Sequence, residues 1–574
     1  MAGTVAAKLV EILVEAGVRR IYGIVGDSLN AVTEEVRRGG VIEWVHCRHE
    51  EAAAFAAGAE AQLTGRLAVC AGSCGPGNLH LINGLYDCHR TGAPVLAIAA
   101  HIPTTEIGTG YFQETHPERL FVECSHYCEA VSAPSQMPRT AQIAIQHAVA
   151  LGGVSTLILS GDVALQTVPS SGLSHPPMAA RPLVRPCDED LERLADLLNG
   201  SERITLLCGA GCAGAHEEVL LLAEALNAPI VHSLRGKEHV EHDNPYDVGM
   251  TGLIGFASGY EAMMGCDALL MLGTDFPYTQ FYPTDARIAQ VDLRAERLGR
   301  RCRLDLGLAG DVGETLRALQ PLLRPKNDAT HLKASLERYR ETRKELDGHA
   351  SGVSGHRPIH PEFLTAQISE LSAPDAVFTA DVGETVVWAA RYLRMRRGQR
   401  LIGSFNHGSM ANALPQAIGA QAAFPGRQVI SLSGDGGFAM LMGDFLTLVQ
   451  QRLPVKVVIY NNGTLGFVEV EQKAAGLLDF GTELVNPNFA KIAEAAGVPG
   501  FRVEDPGDLR GALAEAFAHP GPALVDVVTN RHELPMPPKT TFEQAKGFGL
   551  YTLKAVLSGR GRDLVDLVGS NLRS

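Results

Sequence analysis

Two short polar motifs in the last third of the chain combine residue types that bind metal ions and phosphate. Asp435 stands between glycines after the apolar run VISLS, and Asn462 follows the next apolar run, VKVVIY. The spacing corresponds to one strand–helix–strand unit, so both residues are expected at the carboxyl ends of neighbouring parallel strands, where α/β sheets bind ligands. Their oxygens suit Mg²⁺, and the glycines let backbone amides approach a phosphate. Gly-Asp-Gly alone predicts only a turn, whereas Gly-Asp-Gly-Gly followed by Asn-Asn at this distance predicts a diphosphate–Mg²⁺ site.

These motifs lie in the last of three blocks in which helical periodicity alternates with short β-rich runs. Strands separated by helices in this way predict parallel sheets with both faces covered. We therefore predict an α/β protein of three domains, each a mainly parallel sheet flanked by helices, followed by a C-terminal tail. The predicted boundaries are 1–182, 183–334, 335–532 and 533–574. The strand-like runs are 19–26, 66–72, 93–100 and 155–163 in the first block, 203–208, 228–233, 268–273 and 287–292 in the second, and 376–381, 428–435, 456–462 and 523–528 in the third.

Length, charge and composition restrict the class of protein further. A chain of 574 residues is too long for one hydrophobic core, and its net charge of -14 argues against a nucleic-acid partner. The sequence has no run of about 18 apolar residues that would predict a membrane span. The N-terminal segment has charges within its apolar pattern, which predicts an amphipathic helix and not a signal peptide. Residues 168–186 predict a linker, and the charged segment 325–355 predicts a helix that ends in a loose connection.

Two further motifs are weak when they are considered alone. The run Gly209-Ala210-Gly211-Cys212-Ala213-Gly214 resembles a dinucleotide-binding loop, but the acidic residue expected about 20 positions later is absent, which disfavours NAD. Glu50 follows His49 shortly after the strand-like run VIEWVHC, and such a pair usually predicts only solvated side chains. Asp292 ends the run RIAQVD, where its carboxylate is suitably placed to accept hydrogen bonds from ribose hydroxyls.

Together, the GDGG and NN pair and the His-Glu motif resemble the signature of the thiamine-diphosphate-dependent enzymes. The likeness extends over nearly the whole chain and is strongest to the membrane-associated, quinone-dependent pyruvate oxidases of that family. It implies a first domain that binds the thiamine pyrimidine, a central FAD-binding domain and a third domain that binds diphosphate and Mg²⁺. The segments that carry it are RHEEAAAFAAGAEAQLTGRLAVCAGSCGPGNLHLINGLYDCHR, GYFQETHPE, CGAGCAGAH, LRGKEHVEHDNPYDVGMTGLIGF, SFNHGSMANALPQAIGAQ and QAKGFGLYTLKAVLSGRG.

The resemblance assigns roles to residues of the first and third domains. Glu50 corresponds to the carboxylate that bonds N1′ of the pyrimidine, so that the neighbouring 4′-imino group can take the thiamine C2 proton. Met410 corresponds to the bulky apolar residue that supports the folded cofactor. The implied metal ligands are Asp435, Asn462 and Thr464, and the other implied cofactor contacts are Gly408, Ser409, Gly436, Gly437, Leu465, Gly466 and Phe467. The implied active-site lining is Phe112, Gln113, Phe467, Val468 and Glu471.

The resemblance also implies a flavin in the middle domain. Some relatives have this domain without a redox-active flavin, so the domain alone does not establish oxidation. Acetolactate synthases characteristically carry tryptophan where this chain has Glu471, and the only tryptophans are Trp44 and Trp388, which disfavours that activity. The implied FAD contacts are Thr251, Gly252, Leu253, Ile254, Thr274, Asp275, Phe276, Pro277, Tyr278, Asp292 and Asp311.

The activity that the resemblance implies is pyruvate:ubiquinone oxidoreduction. Pyruvate would be oxidised to acetate and CO2, with electrons passing from the thiamine diphosphate adduct to FAD and then to ubiquinone. The alternatives are a phosphate- and oxygen-dependent pyruvate oxidase and an acetolactate synthase-like carboligase. A cofactor-binding regulator without activity is disfavoured, because Glu50, Asp435 and Asn462 are all present.

The resemblance also implies an assembly and a location. The enzyme would be a homotetramer, a dimer of dimers, in which Glu50 and the diphosphate site of one active centre come from different subunits. It would be cytoplasmic and peripherally associated with the inner face of the cell membrane. Apolar residues of 560–574 share about half of a helical wheel, and the resemblance implies that this tail binds membrane lipid. The other interpretation is a helix docked on the protein's own surface.

Overall fold

The computed structural model describes residues 3–169, 183–352 and 355–533, together with 550–552, 554, 555 and 567. Within these residues the chain forms three six-stranded sheets, and all pairings between their strands are parallel. Helices flank each sheet. The predicted α/β fold of three parallel-sheet domains is therefore confirmed.

The first sheet has buried central strands, as expected for a parallel sheet that is covered on both faces. Its strands are β1 (Arg20–Gly23), β2 (Glu43–His46), β3 (Ala68–Gly72), β4 (Val95–His101), β5 (Tyr127–Ala130) and β6 (Val154–Ser160). They lie in the order β2-β1-β3-β4-β6-β5. The accompanying helices are α1 (Val5–Glu15), α2 (Asn30–Gly39), α3 (Glu50–Thr64), α4 (Pro76–Thr91), α5 (Pro117–Leu120), α6 (Met137–Leu151) and α7 (Gly161–Ala164).

The middle sheet has a different strand order. Its strands are β7 (Ile204–Cys208), β8 (Ile230–His232), β9 (Asp247–Met250), β10 (Ala268–Leu272), β11 (Arg287–Asp292) and β12 (Leu306–Ala309). They lie in the order β12-β11-β10-β7-β8-β9, the order of doubly wound nucleotide-binding sheets. The helices are α8 (Asp188–Asn199), α9 (His216–Leu226), α10 (Lys237–Val240), α11 (Ala257–Met264), α12 (Val312–Leu319) and the charged helix α13 (Thr330–Gly352) predicted within 325–355.

The third sheet repeats the strand order of the first. Its strands are β13 (Val377–Ala380), β14 (Arg400–Gly403), β15 (Val429–Gly434), β16 (Lys456–Asn461), β17 (Gly500–Val503) and β18 (Ala523–Val528). They lie in the order β14-β13-β15-β16-β18-β17. The helices are α14 (Pro361–Leu371), α15 (Glu384–Tyr392), α16 (Ala413–Ala423), α17 (Asp435–Met440), α18 (Phe445–Gln450), α19 (Gly466–Ala474), α20 (Phe489–Ala495) and α21 (Pro506–Ala518).

Helices α3 and α16 join the first and third domains. Both are apolar around most of their circumference and are buried on nearly every face, which is typical of helices enclosed by protein. They pack closely at a glycine, because a Cβ atom on Gly419 would lie 2.0 Å from the carbonyl oxygen of Ala56. One hydrophobic cluster extends through both domains, so the two sheets are held in a fixed relation to each other.

Some sequence predictions fall partly outside the described residues. The predicted linker 168–186 is described only at its two ends, and the amphipathic segment 560–574 only at Leu567. The four domain boundaries therefore stay predictions. Among the helices that the structure describes, none combines the length and the apolar character needed to cross a bilayer.

Candidate active site

The strongest predicted motif forms a cluster of polar groups at the ends of β15 and β16. Asp435 is the first residue of α17 and is buried. Its Oδ1 accepts a hydrogen bond from the backbone N–H of Gly436 (2.8 Å), and its Oδ2 accepts from the backbone of Gly463 and from Asn486 Nδ2 (both 2.7 Å). Burial raises the pKa of Asp435, and these three donors oppose that shift. The carboxylate is thus held rigidly by donors on three separate segments.

Asn462 lies beside this carboxylate and presents its amide in a defined direction. Its Oδ1 accepts from the backbone N–H of Thr464 (3.0 Å), and its Nδ2 donates to Glu384 Oε2 (3.0 Å). The Thr464 hydroxyl donates to Glu469 Oε2 at 2.7 Å. Because that hydroxyl is already engaged, the backbone carbonyl is the ligand atom that Thr464 can offer to a metal. The predicted metal ligands therefore supply hard oxygen atoms, which suit Mg²⁺.

Glycines keep the space beside Asp435 narrow but open. A Cβ atom on Gly436 would lie 3.1 to 3.4 Å from side-chain atoms of Leu484, Leu465 and Met410. A Cβ atom on Gly437 would lie 2.2 Å from Asp381 Oδ2, so this position excludes any side chain. Met410 thus lies at the diphosphate motif, and its role under the cofactor stays a prediction. Its neighbours Gly408 and Ser409 lie in the same loop, and Gly408 has a positive φ of 83°.

Three polar residues of this cluster were not among the predicted site residues. Asn486 bridges Asp435 Oδ2 and Asn461 Oδ1 (2.7 and 3.0 Å). Asp381 accepts from the backbone of Ala413 and Gly434, and burial raises its pKa to about 7. Burial and then the charge of Glu469 raise the pKa of Glu384 to about 8. Asp381 and Glu384 begin and end the segment DVGE, which starts at the last residue of the predicted strand 376–381. Acidic residues at the end of a predicted strand are the signal that could have identified them. Asn486 has no such motif.

Glu50 begins helix α3, directly after the N-cap residue His49. The carboxylate is buried, and its Oε2 lies 2.9 Å from His80 Nδ1. The imidazole of His80 stacks on that of His49, with ring centroids 4.4 Å apart. The other oxygen, Oε1, lies beside Gly77, where a Cβ atom would be only 3.1 Å away. Glu50 is therefore a buried carboxylate with one oxygen engaged and one beside a residue that has no side chain.

The predicted substrate residues lie on two separate parts of the chain. Phe112 is exposed, and Gln113 has a positive φ of 62° and accepts from Cys74 Sγ (3.3 Å). Helix α19 begins at Gly466, after Leu465, and its first two turns carry Phe467, Val468 and Glu471. In the described residues, the hydrogen bonds of Glu50 and Gln113 stay within the first domain. One chain thus forms two half-sites, and among the described residues no hydrogen bond joins Glu50 or Gln113 to the Asp435 cluster.

The two domains do meet at the loop that carries Ser409. Asn83 of helix α4 donates to Ser409 Oγ (2.8 Å) and to Glu51 Oε1 (2.7 Å). His407 Nε2 lies 2.8 Å from the Asn83 carbonyl oxygen. The loop before α16 is therefore positioned by the first domain of the same chain.

The predicted flavin contacts lie at one edge of the middle sheet. They follow the carboxyl ends of strands β9, β10, β11 and β12. Thr251 is buried, and among the described residues its hydroxyl has no hydrogen-bond partner. Asp292 is buried and accepts from the Arg294 backbone (2.9 Å), and burial raises its pKa. Asp311 instead caps helix α12 by accepting from the backbone of Glu314 (3.1 Å).

One of the predicted flavin segments contacts the third domain. The carbonyl oxygen of Ile254 accepts from Arg391 Nε on α15 (3.1 Å). Ile254 and Phe467 both pack against the same hydrophobic cluster of the third domain. Burial and then the charge of Glu471 raise the pKa of Tyr278. The segment 251–254 therefore contacts the domain that carries the predicted substrate residues.

The glycine motif after β7 has a packing role. A Cβ atom on Gly209 would lie 2.5 Å from Thr274 Cβ, and one on Gly211 would lie 2.6 Å from the Gly273 Cα. These glycines let the loops after β7 and β10 touch. The motif thereby brings Thr274, a predicted flavin contact, close to the centre of the sheet.

Comparison with known proteins identifies the family. The description "Thiamine pyrophosphate enzyme, N-terminal TPP binding domain" matches residues 3–120, the central domain of the same family matches 191–319, and its C-terminal TPP binding domain matches 381–527. The chain therefore belongs to the thiamine pyrophosphate-dependent enzymes, thiamine pyrophosphate being another name for thiamine diphosphate.

Three relatives support this assignment. An "Uncharacterized 42.6 kDa protein in isoamylase 3'region" of Pseudomonas amyloderamosa is 64% identical over 60% of this chain and 88% of its own. The "Putative thiamine pyrophosphate-containing protein YdaP" of Bacillus subtilis (strain 168) is 38% identical over 96% of both chains. "Pyruvate oxidase" of Lactiplantibacillus plantarum is 30% identical over 92% of this chain and 89% of its own.

Proposed function

We propose that this enzyme oxidises pyruvate to acetate and CO2 and passes the electrons through FAD to ubiquinone at the membrane. The observation that carries the proposal is the contact of a predicted flavin segment with the domain that carries the predicted substrate helix. The Ile254 carbonyl accepts from Arg391, and Ile254 and Phe467 pack against the same hydrophobic cluster. A flavin held by this segment would lie near the reacting substrate, as direct electron transfer requires. The similarity to a pyruvate oxidase supports pyruvate as the substrate.

The third domain fits thiamine diphosphate and Mg²⁺. Asp435, Asn462 and the Thr464 carbonyl would hold the metal, and the backbone beside Gly436 and Gly437 would contact the diphosphate. When bound, thiamine diphosphate supplies a carbon nucleophile for the keto group and a sink for the electrons left by CO2. In the described residues Glu384 Oε1 is buried without a hydrogen-bond partner, which agrees with a site that is completed by a ligand.

Glu50 would hold the cofactor in its reactive protonation state. His80 engages Oε2, so Oε1 beside Gly77 is the oxygen that can accept a hydrogen bond from a pyrimidine ring nitrogen. The carboxylate is buried, and a hydrogen bond made there is stronger than one made in water. Glu50 would therefore bind and orient a proton at this nitrogen, while His80 fixes the orientation of the carboxylate.

A second copy of the chain would complete each active centre. The half-site of the first domain exposes Phe112 at 77%, and that of the third domain exposes Phe480 at 88% and Val485 at 98%. Exposed apolar side chains of this size are typical of surfaces that a partner covers. We propose that Glu50 of one subunit faces the Asp435 cluster of another, within a tetramer formed by two such dimers.

The middle domain fits a flavin in part. The hydroxyl of Thr251 and the carboxylate of Asp292 are buried polar groups at the sheet edge where nucleotides bind. FAD, when bound, accepts two electrons and delivers them one or two at a time. Asp275 is engaged by Arg300 and Arg301, and Asp311 is engaged as a helix cap. We therefore expect Thr251 and Asp292 to contribute more to flavin affinity than Asp275 or Asp311.

The C-terminus would connect the active site with the membrane. The described residues Tyr551, Ala555 and Leu567 form an apolar cluster against which Leu478 packs, shortly after helix α19. Lys554 Nζ donates to the Gly476 carbonyl (2.7 Å). We propose that Leu567 leaves this cluster after flavin reduction and that the tail 560–574 binds lipid, so that the cytoplasmic enzyme associates with the inner face of the membrane.

The test uses the purified full chain with thiamine diphosphate, Mg²⁺ and FAD. We expect pyruvate without an acceptor to bleach the flavin band, and a ubiquinone analogue to restore it with acetate as the product. Acetyl phosphate and hydrogen peroxide, formed with phosphate and oxygen, would instead indicate a phosphate-dependent oxidase. Acetolactate with a flavin that stays oxidised would refute the proposed redox function.

The membrane step has a separate test. Co-sedimentation with anionic liposomes is compared with and without pyruvate, for the intact chain and for a chain that lacks residues 560–574. We expect only the intact, pyruvate-reduced enzyme to sediment, while the truncated enzyme still reduces a soluble dye. Equal sedimentation of all four samples would contradict the proposed release of the tail.

A further inference from the structure

A carboxylate without a predicted role lies against the proposed metal ligand Asn462. Glu384 is the first residue of helix α15, and its Oε2 accepts a hydrogen bond from Asn462 Nδ2 (3.0 Å). The carboxylate also packs against Gly466, where an added Cβ atom would lie 2.4 Å from Glu384 Cδ and 2.5 Å from each of its oxygens. Only glycine at position 466 leaves room for this arrangement, so the carboxylate position is tightly enclosed.

The contacts of Asn462 determine which end of its amide faces the metal site. An asparagine amide has an oxygen and a nitrogen of nearly the same shape, and only hydrogen bonds distinguish its two orientations. Here Nδ2 donates to Glu384 and Oδ1 accepts from the Thr464 backbone N–H (3.0 Å). In the reversed orientation Oδ1 would face the Glu384 carboxylate and Nδ2 would face another N–H donor. Both reversed contacts are unfavourable, so Oδ1 stays on the side of the Thr464 backbone and Nδ2 on the side of Glu384.

We propose that Glu384 is a positioning residue for the metal ion. Its carboxylate fixes the orientation of the Asn462 amide oxygen and accepts a hydrogen bond from a metal-bound water. The first part follows from the contacts of Asn462. The second follows from Oε1, which is buried and has no hydrogen-bond partner among the described residues. Mg²⁺ in proteins commonly keeps several water ligands, and these donate hydrogen bonds. The inference rests on the proposed function in which Asn462 binds Mg²⁺.

A carboxylate suits these two tasks better than an amide does. Each carboxylate oxygen accepts hydrogen bonds, so Glu384 can serve Asn462 and a water together. A glutamine in its place would accept from Asn462 through one atom and turn a donor toward the water. A cation bound at Asn462 would stabilise the ionised form of Glu384, while the neighbouring Glu469 is paired with Lys473 (2.7 Å).

The first test measures Mg²⁺ affinity in the full chain, which is first freed of its cofactors and then saturated with thiamine diphosphate. Mg²⁺ is titrated into this sample, and binding is followed by circular dichroism or protein fluorescence, without any turnover. We expect Glu384→Ala to weaken Mg²⁺ binding by about 10- to 100-fold, the usual effect of losing a partner of a metal ligand. Glu483→Ala is the matched control, because it removes an exposed carboxylate from the nearby loop. Its Mg²⁺ affinity should stay within about twofold of the unaltered protein.

The second test exchanges the two side chains and does not depend on the alanine variant folding. Asn462→Asp places one carboxylate against another, and Glu384→Gln removes an acceptor, so each change alone should weaken Mg²⁺ binding. In the double variant the new amide at position 384 can donate to the new carboxylate at position 462, and the charge of the pair is restored. We expect its Mg²⁺ affinity to exceed the product of the two single effects by about 10-fold.

Three outcomes are informative. If the unaltered chain binds Mg²⁺ but Glu384→Ala and Glu384→Gln bind it equally well, the positioning role is wrong while the proposed function stands. Independent effects in the double variant would also overturn the role. If the unaltered chain binds neither Mg²⁺ nor thiamine diphosphate, the proposed function and this inference fail together. Thermal unfolding of each metal-free variant identifies a general loss of structure, which a positioning role does not predict.

Discussion

The first and third domains have the same strand order but carry different chemistry. In both sheets the order of the strands, numbered within the domain, is 2-1-3-4-6-5. In the third domain the central strands β15 and β16 are followed by Asp435 and Asn462. The equivalent strands of the first domain, β3 and β4, are followed by Ser73 and Ile102, which offer no carboxylate. One topology thus places the predicted metal ligands at these strand ends in one domain and apolar or hydroxyl side chains at the same strand ends in the other.

The second strand of each domain shows the complementary difference. Strand β2 is followed by Glu50, whereas its equivalent β14 is followed by the loop to Met410. The first domain therefore carries the predicted proton-binding carboxylate, and the third carries the predicted apolar support together with the predicted metal ligands. The comparison teaches that the sheet determines where functional groups can lie, while single residues after the strands decide which chemistry each domain performs.

The largest expected effect comes from a change in the first domain that leaves the cofactor site of the third domain intact. Glu50→Gln should lower pyruvate turnover by about 10²- to 10⁴-fold, because the amide cannot replace the carboxylate in proton transfer. Thiamine diphosphate and Mg²⁺ should still bind, since the Asp435 cluster is unchanged. Glu51→Gln is the matched control, because glutamine keeps an oxygen for the hydrogen bond from Asn83. Steady-state decarboxylation rates and cofactor titrations measure both effects. Near-normal turnover in Glu50→Gln would remove this residue from the mechanism.

The next effect concerns the metal site. Asp435→Ala should weaken binding of Mg²⁺ and thiamine diphosphate together by about 10- to 100-fold or more, because each is a ligand of the other. Ser73→Ala changes the equivalent strand end of the first domain and should leave both affinities unaltered. Isothermal titration with the cofactor-free protein gives the two dissociation constants. An unchanged affinity in Asp435→Ala would show that the metal lies elsewhere.

The sequence predicted the centres of the sheets better than their edges. Five strands have no predicted β-run, and all five lie at the edge of a sheet: β5, β9, β12, β14 and β17. An edge strand has one neighbour, is short here and does not need a continuous apolar run, so its pattern is weak. Edge strand β2 was found because its run VIEWVHC precedes the His-Glu motif.

The candidate site was predictable where a motif marks it. The predicted residues Asp435, Asn462, Thr464 and Met410 lie together, although their roles stay predictions. Asn486 was not found, because its contact with Asp435 depends on how a loop folds back over the strand ends. The separation of Glu50 from this cluster within one chain also has no local signal, since it depends on the packing of α3 against α16.

A smaller effect is expected at the junction of the two domains. Gly419→Ala would place a Cβ atom 2.0 Å from the Ala56 carbonyl oxygen, so helices α3 and α16 must separate. Overpacking of this kind costs about 1–3 kcal/mol of unfolding free energy. Gly426→Ala is the control, because no atom lies within 4 Å of its added Cβ. Urea unfolding followed by fluorescence compares them, and equal stability of the two variants would contradict this packing.

The smallest expected effect is a pH dependence at the same junction. Asp87 of helix α4 is 1% exposed and accepts from Gln416 Nε2 of helix α16 (3.2 Å). Burial raises the pKa of Asp87 from 3.8 to about 6. Between these two values the folded protein holds a proton that the unfolded chain has lost, so stability falls as pH rises through this window and levels off above it.

Asp87→Asn tests this sign directly, because asparagine does not titrate and can still accept from Gln416. Between pH 5 and pH 7 the unfolding free energy of the unaltered protein should fall relative to that of the variant by about 1 kcal/mol. Asp508→Asn, which removes an exposed carboxylate, should show no such pH-dependent difference. Urea unfolding at several pH values measures the two differences. A constant difference between Asp87→Asn and the unaltered protein would mean that Asp87 is already ionised at pH 5, and that its hydrogen bonds outweigh its burial.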